Sequence, residues 1–219
     1  MTETAPTQDK RCRGRPQLRP DEETRAIIHE VARHVFAESG FAATSMETVA
    51  KRAGVSTKTL YRLIPNKAAL FEGMVTDRLD RFLLSVDLRS SGHADIEDAL
   101  IAALLACTDL VLDPEVVALQ QIMLQEGCRF PDIAQTFYRN GIQRSQTTLA
   151  NWLRAQQQRG LITLDNADDA AGMLLGMVAS APRRATIFGG EALPSRQEIE
   201  RRVRTCAAIF LRGVRADKG

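Results

Sequence analysis

The chain has 219 residues, of which 44% are hydrophobic and 26% are charged, enough for a single domain or for a small headpiece on a larger body. Its longest apolar runs, such as Ala99 to Ala106, are far shorter than the ~20 residues of a membrane span, and the polar N-terminus has no signal-peptide core. These features predict a cytoplasmic protein with no membrane partner.

The net charge of +2 is unevenly distributed along the sequence. Residues 1–70 carry 12 Lys or Arg against 8 Asp or Glu, whereas the remainder carries 17 against 19, so the N-terminal end is the one suited to a polyanion. Four scattered cysteines and three histidines form neither a CxxC pair nor a ligand cluster, and no phosphate-binding loop occurs. We therefore expect no metal, no cofactor and no enzymatic activity.

Residues 1–20 form a basic segment broken by Gly14, Pro16 and Pro20, which predicts a flexible arm rather than a helix. Within it, Arg13-Gly14-Arg15-Pro16 resembles the centre of an AT-hook, in which arginines enter the narrow minor groove of A·T-rich DNA. This favours Arg13 and Arg15 as DNA contacts. A solvated basic tail or an expression-linked leader would have the same composition, and its charge would assist DNA binding non-specifically in either case.

An amphipathic helix is predicted after the arm. Acidic residues at 21–23 suit the first turn of a helix, and apolar residues then recur at helical spacing until Ser39-Gly40. Such a helix can brace the segment that follows.

The segment Thr44 to Lys67 has the pattern of a helix-turn-helix, the motif that places its second helix in a DNA groove. Thr44 and Glu47 have the spacing of a capping box, so we expect the first helix to begin there. Gly54 can take the left-handed conformation that ends a helix, and Ser56 can cap the next one.

The second helix of this motif groups side chains suited to DNA on one face. Thr57, Lys58, Tyr61 and Arg62 share that face at helical spacing, while Leu60 lies on the side available to a core. Lysine and arginine bond guanine edges, threonine contacts thymine or offers a hydroxyl, and tyrosine reaches phosphate oxygens. Two amphipathic surface helices with solvated charges are the alternative.

The remainder of the chain predicts helices throughout, over about 67–89, 95–112, 115–127, 131–159, 167–189 and 195–210. Asn66 caps the first of these, and Lys67 at its start is suited to a phosphate. The helix from 167 carries small residues at Ala170, Gly172 and Gly176, which permit close approach of another helix. We favour a two-fold dimer interface there, although these faces could instead fill an intramolecular core.

A ligand pocket is a further hypothesis for this helical body. Thioether and aromatic side chains at helical spacing adapt to apolar ligands, although each of them could equally be an ordinary core residue. The candidates are Phe82, Leu104, Thr108, Met123, Phe137, Met173 and Met177.

Two segments carry a family resemblance. TLYRLIPNKAALF resembles the signature of the tetracycline-repressor (TetR) family, with Leu63-Ile64 in place of the usual aromatic pair. Residues 115–142 are similar to the AefR-like subset at Glu126, Arg129, Phe130 and Pro131. Glu126 and Arg129 are three residues apart, which favours an ion pair between them.

The resemblance implies an all-α fold and a transcriptional regulator. It implies a basic arm at 1–20, a helix-turn-helix domain at 21–66 and a regulatory, dimerising body at 67–215. It also implies that the second helix of the motif contacts the DNA bases and that the last two long helices form the dimer. Phosphate contacts are implied for Thr44, Ser45 and Lys67.

The function expected from these features is sequence-specific DNA binding by a dimer. Two reader helices about 34–36 Å apart would call for a palindromic operator of double-stranded DNA, and similarity to the family implies a repressor released by a small-molecule effector. An architectural DNA-binding protein that needs no effector is the alternative. Loss of operator binding on addition of a compound would separate the two.

Overall fold

The computed structural model describes residues 19–90 and 95–214, and of residues 81, 83–90 and 214 it describes the backbone alone. Within these ranges the chain is all helical, as predicted, with ten α-helices and one π-helical segment and without a β-strand. The helices are α1 (Asp21–Ala43), α2 (Met46–Arg52), α3 (Thr57–Leu63), α4 (Lys67–Ser90), α5 (Ile96–Val111), α6 (Pro114–Glu126), α7 (Pro131–Phe137), α8 (Arg144–Gln158), α9 (Ala167–Gly189) and α10 (Arg196–Val214), and the π segment is Tyr138–Gln143.

Short polar side chains start most of these helices. The Ser56 Oγ accepts the Thr59 N–H at 3.0 Å, the Asn66 carbonyl accepts the Ala69 N–H at 2.8 Å, and Ser195 exchanges hydrogen bonds with Glu198. These three caps confirm the boundaries predicted for α3, α4 and α10.

The predicted cap of α2 was wrong by one residue. Ser45 caps this helix by accepting the Thr48 N–H at 3.1 Å, whereas the Thr44 hydroxyl donates to the Gly40 carbonyl at 2.7 Å. Thr44 is held there because α1 kinks at Gly40, whose φ of 78° and ψ of 172° turn the chain toward α2. The residue that matched the capping pattern therefore belongs to the connection before the helix.

The long helix predicted from Pro131 to Arg159 is divided into three parts. Helix α7 passes directly into the π segment, and the α-helix resumes at Arg144. A π segment carries one extra residue in a turn, and Gly141 within it weakens the ordinary helical pattern. Because the interruption has no proline and no break in apolar spacing, sequence periodicity did not reveal it.

Two apolar clusters hold the fold together. One joins α1–α3 and the first half of α4 to Leu119 of α6 and to Ile133 and Phe137 of α7, and we call it the head cluster. The other, the body cluster, joins the second half of α4 to α5, α8, α9 and α10. Because α4 contributes to both, it mechanically links the helix-turn-helix to the body.

Among the described helices, none combines the length and the apolar character that crossing a bilayer requires.

Candidate nucleic-acid interface

Helices α2 and α3 are joined by a sharp turn, and both pack on α1. Gly54 lies in the left-handed region at φ 67°, as predicted, and Val49 and Leu60 are fully buried between the helices. At its other end, α3 is fixed by Arg25, whose guanidinium donates to the Leu63 carbonyl at 2.8 Å. The outer face of α3 is therefore held in a single orientation.

The structure brings the four predicted reader side chains together on this outer face. Thr57, Lys58, Tyr61 and Arg62 are all exposed, and the Tyr61 hydroxyl lies 3.4 Å from a Glu47 carboxylate oxygen. The face combines two cations with hydroxyl donors, which is the chemistry that base edges and phosphates require.

Arg62 already has a partner in the free protein. Its guanidinium makes two hydrogen bonds, of 2.7 and 2.8 Å, to the carboxylate of Asp21 at the start of α1. The hydrogen bond with Asp21 raises the pKa of Arg62 above its ordinary value. Arg62 must release Asp21 or share it before it can bond a base.

Lys67 and Thr44 are used within the protein. The Lys67 ammonium donates to the carbonyls of Phe41 at 2.7 Å, Thr44 at 2.9 Å and Ala42 at 3.3 Å, and lies 4.5 Å from the centre of the Phe41 ring. Burial lowers the pKa of Lys67, and the nearby negative charge of Glu126 opposes that shift. Thr44 is buried and Lys67 is half-buried, so both residues have partners within the protein, and their contact with phosphates stays a prediction. Ser45 remains at the N-terminus of α2, half-buried.

Glu126 connects the body to the kink of α1. Its carboxylate accepts the Ala42 N–H at 3.0 Å, and a Cβ added at Gly40 would lie 2.6 Å from its Oε1 atom. The predicted ion pair between Glu126 and Arg129 was therefore wrong, because the Arg129 guanidinium lies over the Phe130 ring instead. Sequence spacing could not show the hydrogen bond between Ala42 and Glu126, since these residues are 84 positions apart.

A narrow apolar cavity of about 60 Å³ lies where the two clusters meet. Helices α1, α4, α5, α6 and α7, the π segment and the start of α8 all contribute to its wall. Its apolar lining includes Met74, Val75, Leu79, Leu110, Leu119 and Phe137. Gly141 and Ile142 of the π segment also line it, and π segments are frequent at functional sites.

Two arginines line this otherwise apolar space. Arg78 of α4 pairs with Asp113 at 2.9 Å, and Arg33 of α1 pairs with Glu30 and with Glu115. Asp113 also caps α6, so Arg78 links α4 to the start of α6. The cavity is thus in contact with the first helix of the headpiece and with the long helix that connects to the body.

Of the seven predicted pocket residues, only Phe137 lines this cavity. Phe82, Leu104 and Thr108 are buried in the body, and the Thr108 hydroxyl donates to the Leu105 carbonyl. Met123 lies in a surface groove beside Phe137, Met177 lies in another, and Met173 is 67% exposed. The helical spacing identified apolar positions, but it did not show which of them border empty space.

The arginines were missed, although the sequence contained a signal for one of them. Arg78 lies four residues after Met74 and three after Val75, and so interrupts the apolar face of α4 with a charge. A charged residue on a face that is otherwise buried requires a partner or a ligand. This reasoning would have pointed to Arg78 before the thioethers.

The last two helices leave large apolar side chains exposed. Met173 and Phe188 of α9 are 67% and 77% exposed, and Ile209 of α10 is 56% exposed. Gly176 and the buried residues Ala170 and Ala171 lie on the same helix as Met173.

The predicted arm contacts, Arg13 and Arg15, lie outside the described residues.

Comparison with known proteins gives consistent results. Residues 28–74 match the family model for bacterial regulatory proteins of the tetR family, and residues 91–213 match that for the C-terminal domain of AefR-like transcriptional repressors. The transcriptional regulator UidR of Escherichia coli K12 is 26% identical over 142 residues, which cover 65% of this chain and 70% of UidR.

Solved structures show the same similarity. A TetR-family regulator from Mesorhizobium loti aligns over 90% of this chain and 100% of its own, with 25% identity and a TM-score of 0.78. The flavonoid-responsive regulator FrrA aligns over 90% and 99%, with 26% identity and a TM-score of 0.68. GusR of Salmonella enterica aligns over 89% and 97%, with 26% identity and a TM-score of 0.64.

Proposed function

Because the chain belongs to the tetracycline-repressor family of transcriptional regulators, which are DNA-binding proteins and not enzymes, we propose that it is a homodimeric repressor released by a small-molecule effector. The observation that carries the proposal is the position of the apolar cavity. Its wall contains Arg33 of α1, the helix on which α3 packs, and Arg78 of α4, the helix that follows α3 in the chain, so a bound molecule would touch both.

The proposed DNA contacts are the exposed side chains of α3. Lys58 and Arg62 would bond base edges, Thr57 would contact a base or its methyl group, and Tyr61 would reach a phosphate. Ser45, the N-cap of α2, is retained as a phosphate contact, because the first turn of a helix offers backbone N–H groups to an anion. Thr44 and Lys67 are left out because their polar groups are used within the headpiece.

The proposed dimer forms through α9 and α10. The exposed Met173, Phe188 and Ile209 would be covered in such a dimer, which removes apolar surface from water. A two-fold axis between these helices would present two α3 helices to successive major grooves on one face of the DNA. The operator would then be a palindrome.

The proposed release mechanism uses two connections between cavity and headpiece. One is Arg33, which lines the cavity from α1, and the other is the hydrogen bond from Ala42 to Glu126 at the end of α6. An effector that binds better when α6 has shifted would pull the Gly40 kink and rotate α2 and α3 out of register with the grooves. FrrA, which is described as flavonoid-responsive, supports a response to small molecules in a protein of this fold.

The proposal is tested in three steps with the purified full-length protein. Selection of bound genomic fragments should recover a palindrome with half-sites about one helical turn apart. Light scattering should give twice the mass of 24.2 kDa, and Phe188→Glu should yield a monomer with weaker operator binding. Screening compounds against the operator complex should then find one that releases it.

An architectural role makes different predictions in the same experiments. Recovered fragments without a shared sequence, together with binding that no compound reduces, would favour the architectural protein. Recovery of a palindrome, together with operator binding that no compound reduces, would support the sequence-specific regulator but contradict its release by an effector.

A further inference from the structure

We propose that the cavity binds a small, uncharged, mainly apolar molecule, and that a single acceptor oxygen of that molecule receives a hydrogen bond from Arg78 Nε. That this molecule is the effector rests on the proposed function, whereas its binding to the cavity does not. It assigns the chemical class of the ligand and the residue that recognises it.

The guanidinium of Arg78 has one unused hydrogen-bond donor. The Nε atom of Arg78 is buried and has no acceptor within hydrogen-bond distance among the described residues. The terminal nitrogen Nη2 of the same guanidinium is occupied by Asp113 at 2.9 Å. Buried donors are almost always satisfied in proteins, because an unpaired donor loses its hydration without compensation. Because the Arg78 side chain lines the cavity, we assign this donor to a molecule that enters it.

The wall of the cavity is polar at only a few points. Most of the lining is aliphatic, thioether or aromatic, and its few polar side chains include Gln120 and Ser145. The Ser145 hydroxyl already donates to the Ile142 carbonyl at 2.8 Å. A ligand that fills this space must therefore be apolar over most of its surface and polar at one point.

The charges around the cavity disfavour an anionic ligand. Arg33 and Arg78 face three carboxylates, those of Glu30, Asp113 and Glu115, so each guanidinium is already paired with an anion. A carboxylate ligand would add a fourth negative charge and lose its own hydration in an apolar space. A ketone, ether or phenol oxygen accepts the same hydrogen bond without that cost.

The size and plasticity of the cavity limit the ligand to a small molecule. A space of about 60 Å³ admits a single ring or a short chain once flexible wall residues move. Met74 is such a residue, and thioether side chains repack readily. The wall formed by Gly141 and Ile142 belongs to a π segment, a departure from α-helical geometry that is frequent at functional sites.

The test compares three ligands of nearly equal shape, acetophenone, ethylbenzene and benzoate, by titration calorimetry on the full-length protein. The informative variant is Arg78→Lys, which keeps a positive charge for Asp113 but replaces Nε–H by a methylene group. Arg144→Lys is the matched control, because Arg144 likewise pairs with an aspartate, Asp80 at 2.8 Å, but lies outside the cavity wall.

The proposal expects Arg78→Lys to weaken acetophenone binding about tenfold and to change ethylbenzene binding less than about twofold. Arg144→Lys should change neither, and benzoate should bind the unmodified protein more weakly than acetophenone does. Equal losses for acetophenone and ethylbenzene, tightest binding by benzoate, or no binding of acetophenone would each overturn it. Unfolding of each variant in urea verifies that Arg78→Lys is folded.

Operator release, measured separately, distinguishes this inference from the proposed function. If acetophenone binds in the Arg78-dependent way and the operator complex remains intact at saturation, the ligand site is supported and its role in release fails. If another compound releases the operator equally well from the protein and from Arg78→Lys, while acetophenone shows no dependence on Arg78, release holds and the inference is wrong.

Discussion

Replacement of Lys67 by methionine separates a structural role for this lysine from a contact with DNA. The ammonium group of Lys67 donates to three carbonyls at the end of α1, whereas the stem of methionine fills the same space without a donor. Hydrogen bonds that involve a charged group contribute about 1.5–3 kcal/mol, and a cation near a helix C-terminus adds about 0.3–1 kcal/mol. Because the site is partly exposed to water, we take the lower part of this sum, about 2 kcal/mol.

We therefore expect Lys67→Met to lower the free energy of unfolding in urea by about 2 kcal/mol without a change in the slope of unfolding against denaturant. Operator affinity should fall, because α2 loses its anchor, but the dependence of log affinity on log salt should stay the same. Lys51→Met, which removes the same charge from an exposed position on α2, should change stability by less than about 0.5 kcal/mol. Unchanged stability together with a salt slope reduced by about 0.9 would show that Lys67 contacts a phosphate and that our account of it is wrong.

Three further changes test other parts of the account. Gly40→Ala should destabilise the protein by about 2–4 kcal/mol, because Gly40 has a backbone conformation that only glycine adopts readily and because an added Cβ would collide with the Glu126 carboxylate. The control Gly160→Ala, at φ 71° with no atom within 4 Å of the added Cβ, should cost about 1 kcal/mol. Equal losses of stability in calorimetry would show that Glu126 does not contribute to the effect. Asp21→Asn should raise operator affinity at low salt about two- to fivefold, because it frees Arg62 from its ion pair. The control Glu22→Gln removes the same charge from the next, exposed residue and should raise the affinity less. A larger increase for Glu22→Gln than for Asp21→Asn would mean that Arg62 contacts DNA while it is still paired. Burial raises the pKa of Cys107 to about 12, so its thiol stays protonated at pH 8. Alkylation followed by peptide mass mapping should therefore label the exposed Cys128 in the folded protein and Cys107 only after unfolding. Rapid labelling of Cys107 in the folded protein would contradict its burial.

Local patterns in the sequence predicted the local features of this fold well. Ser56, Asn66 and Ser195 cap the helices they were expected to cap, and Gly54 forms the turn, because each of these features depends on residues within four positions. The exposed face of α3 followed from helical spacing in the same way.

The features that spacing did not reveal depend on distant parts of the chain. Arg62 pairs with Asp21 across 41 positions, and Glu126 reaches Ala42 across 84, so neither contact leaves a periodic signal. The cavity is a property of how seven elements pack, which explains why a list of apolar positions included only Phe137 from its wall. The family resemblance implied that Lys67 contacts DNA, whereas the structure shows that its ammonium group donates to backbone carbonyls at the end of α1.

The central claim, that the outer face of α3 enters the DNA groove, is tested most directly by photocrosslinking. A benzophenone amino acid in place of Tyr61, which is 46% exposed, would be irradiated in the operator complex, with the same group in place of Leu124, which is 65% exposed on α6, as the control. The account predicts that position 61 crosslinks to the operator at two symmetric sites about one helical turn apart, and that position 124 does not crosslink to DNA. Crosslinks to DNA from position 124 and none from position 61 would contradict it.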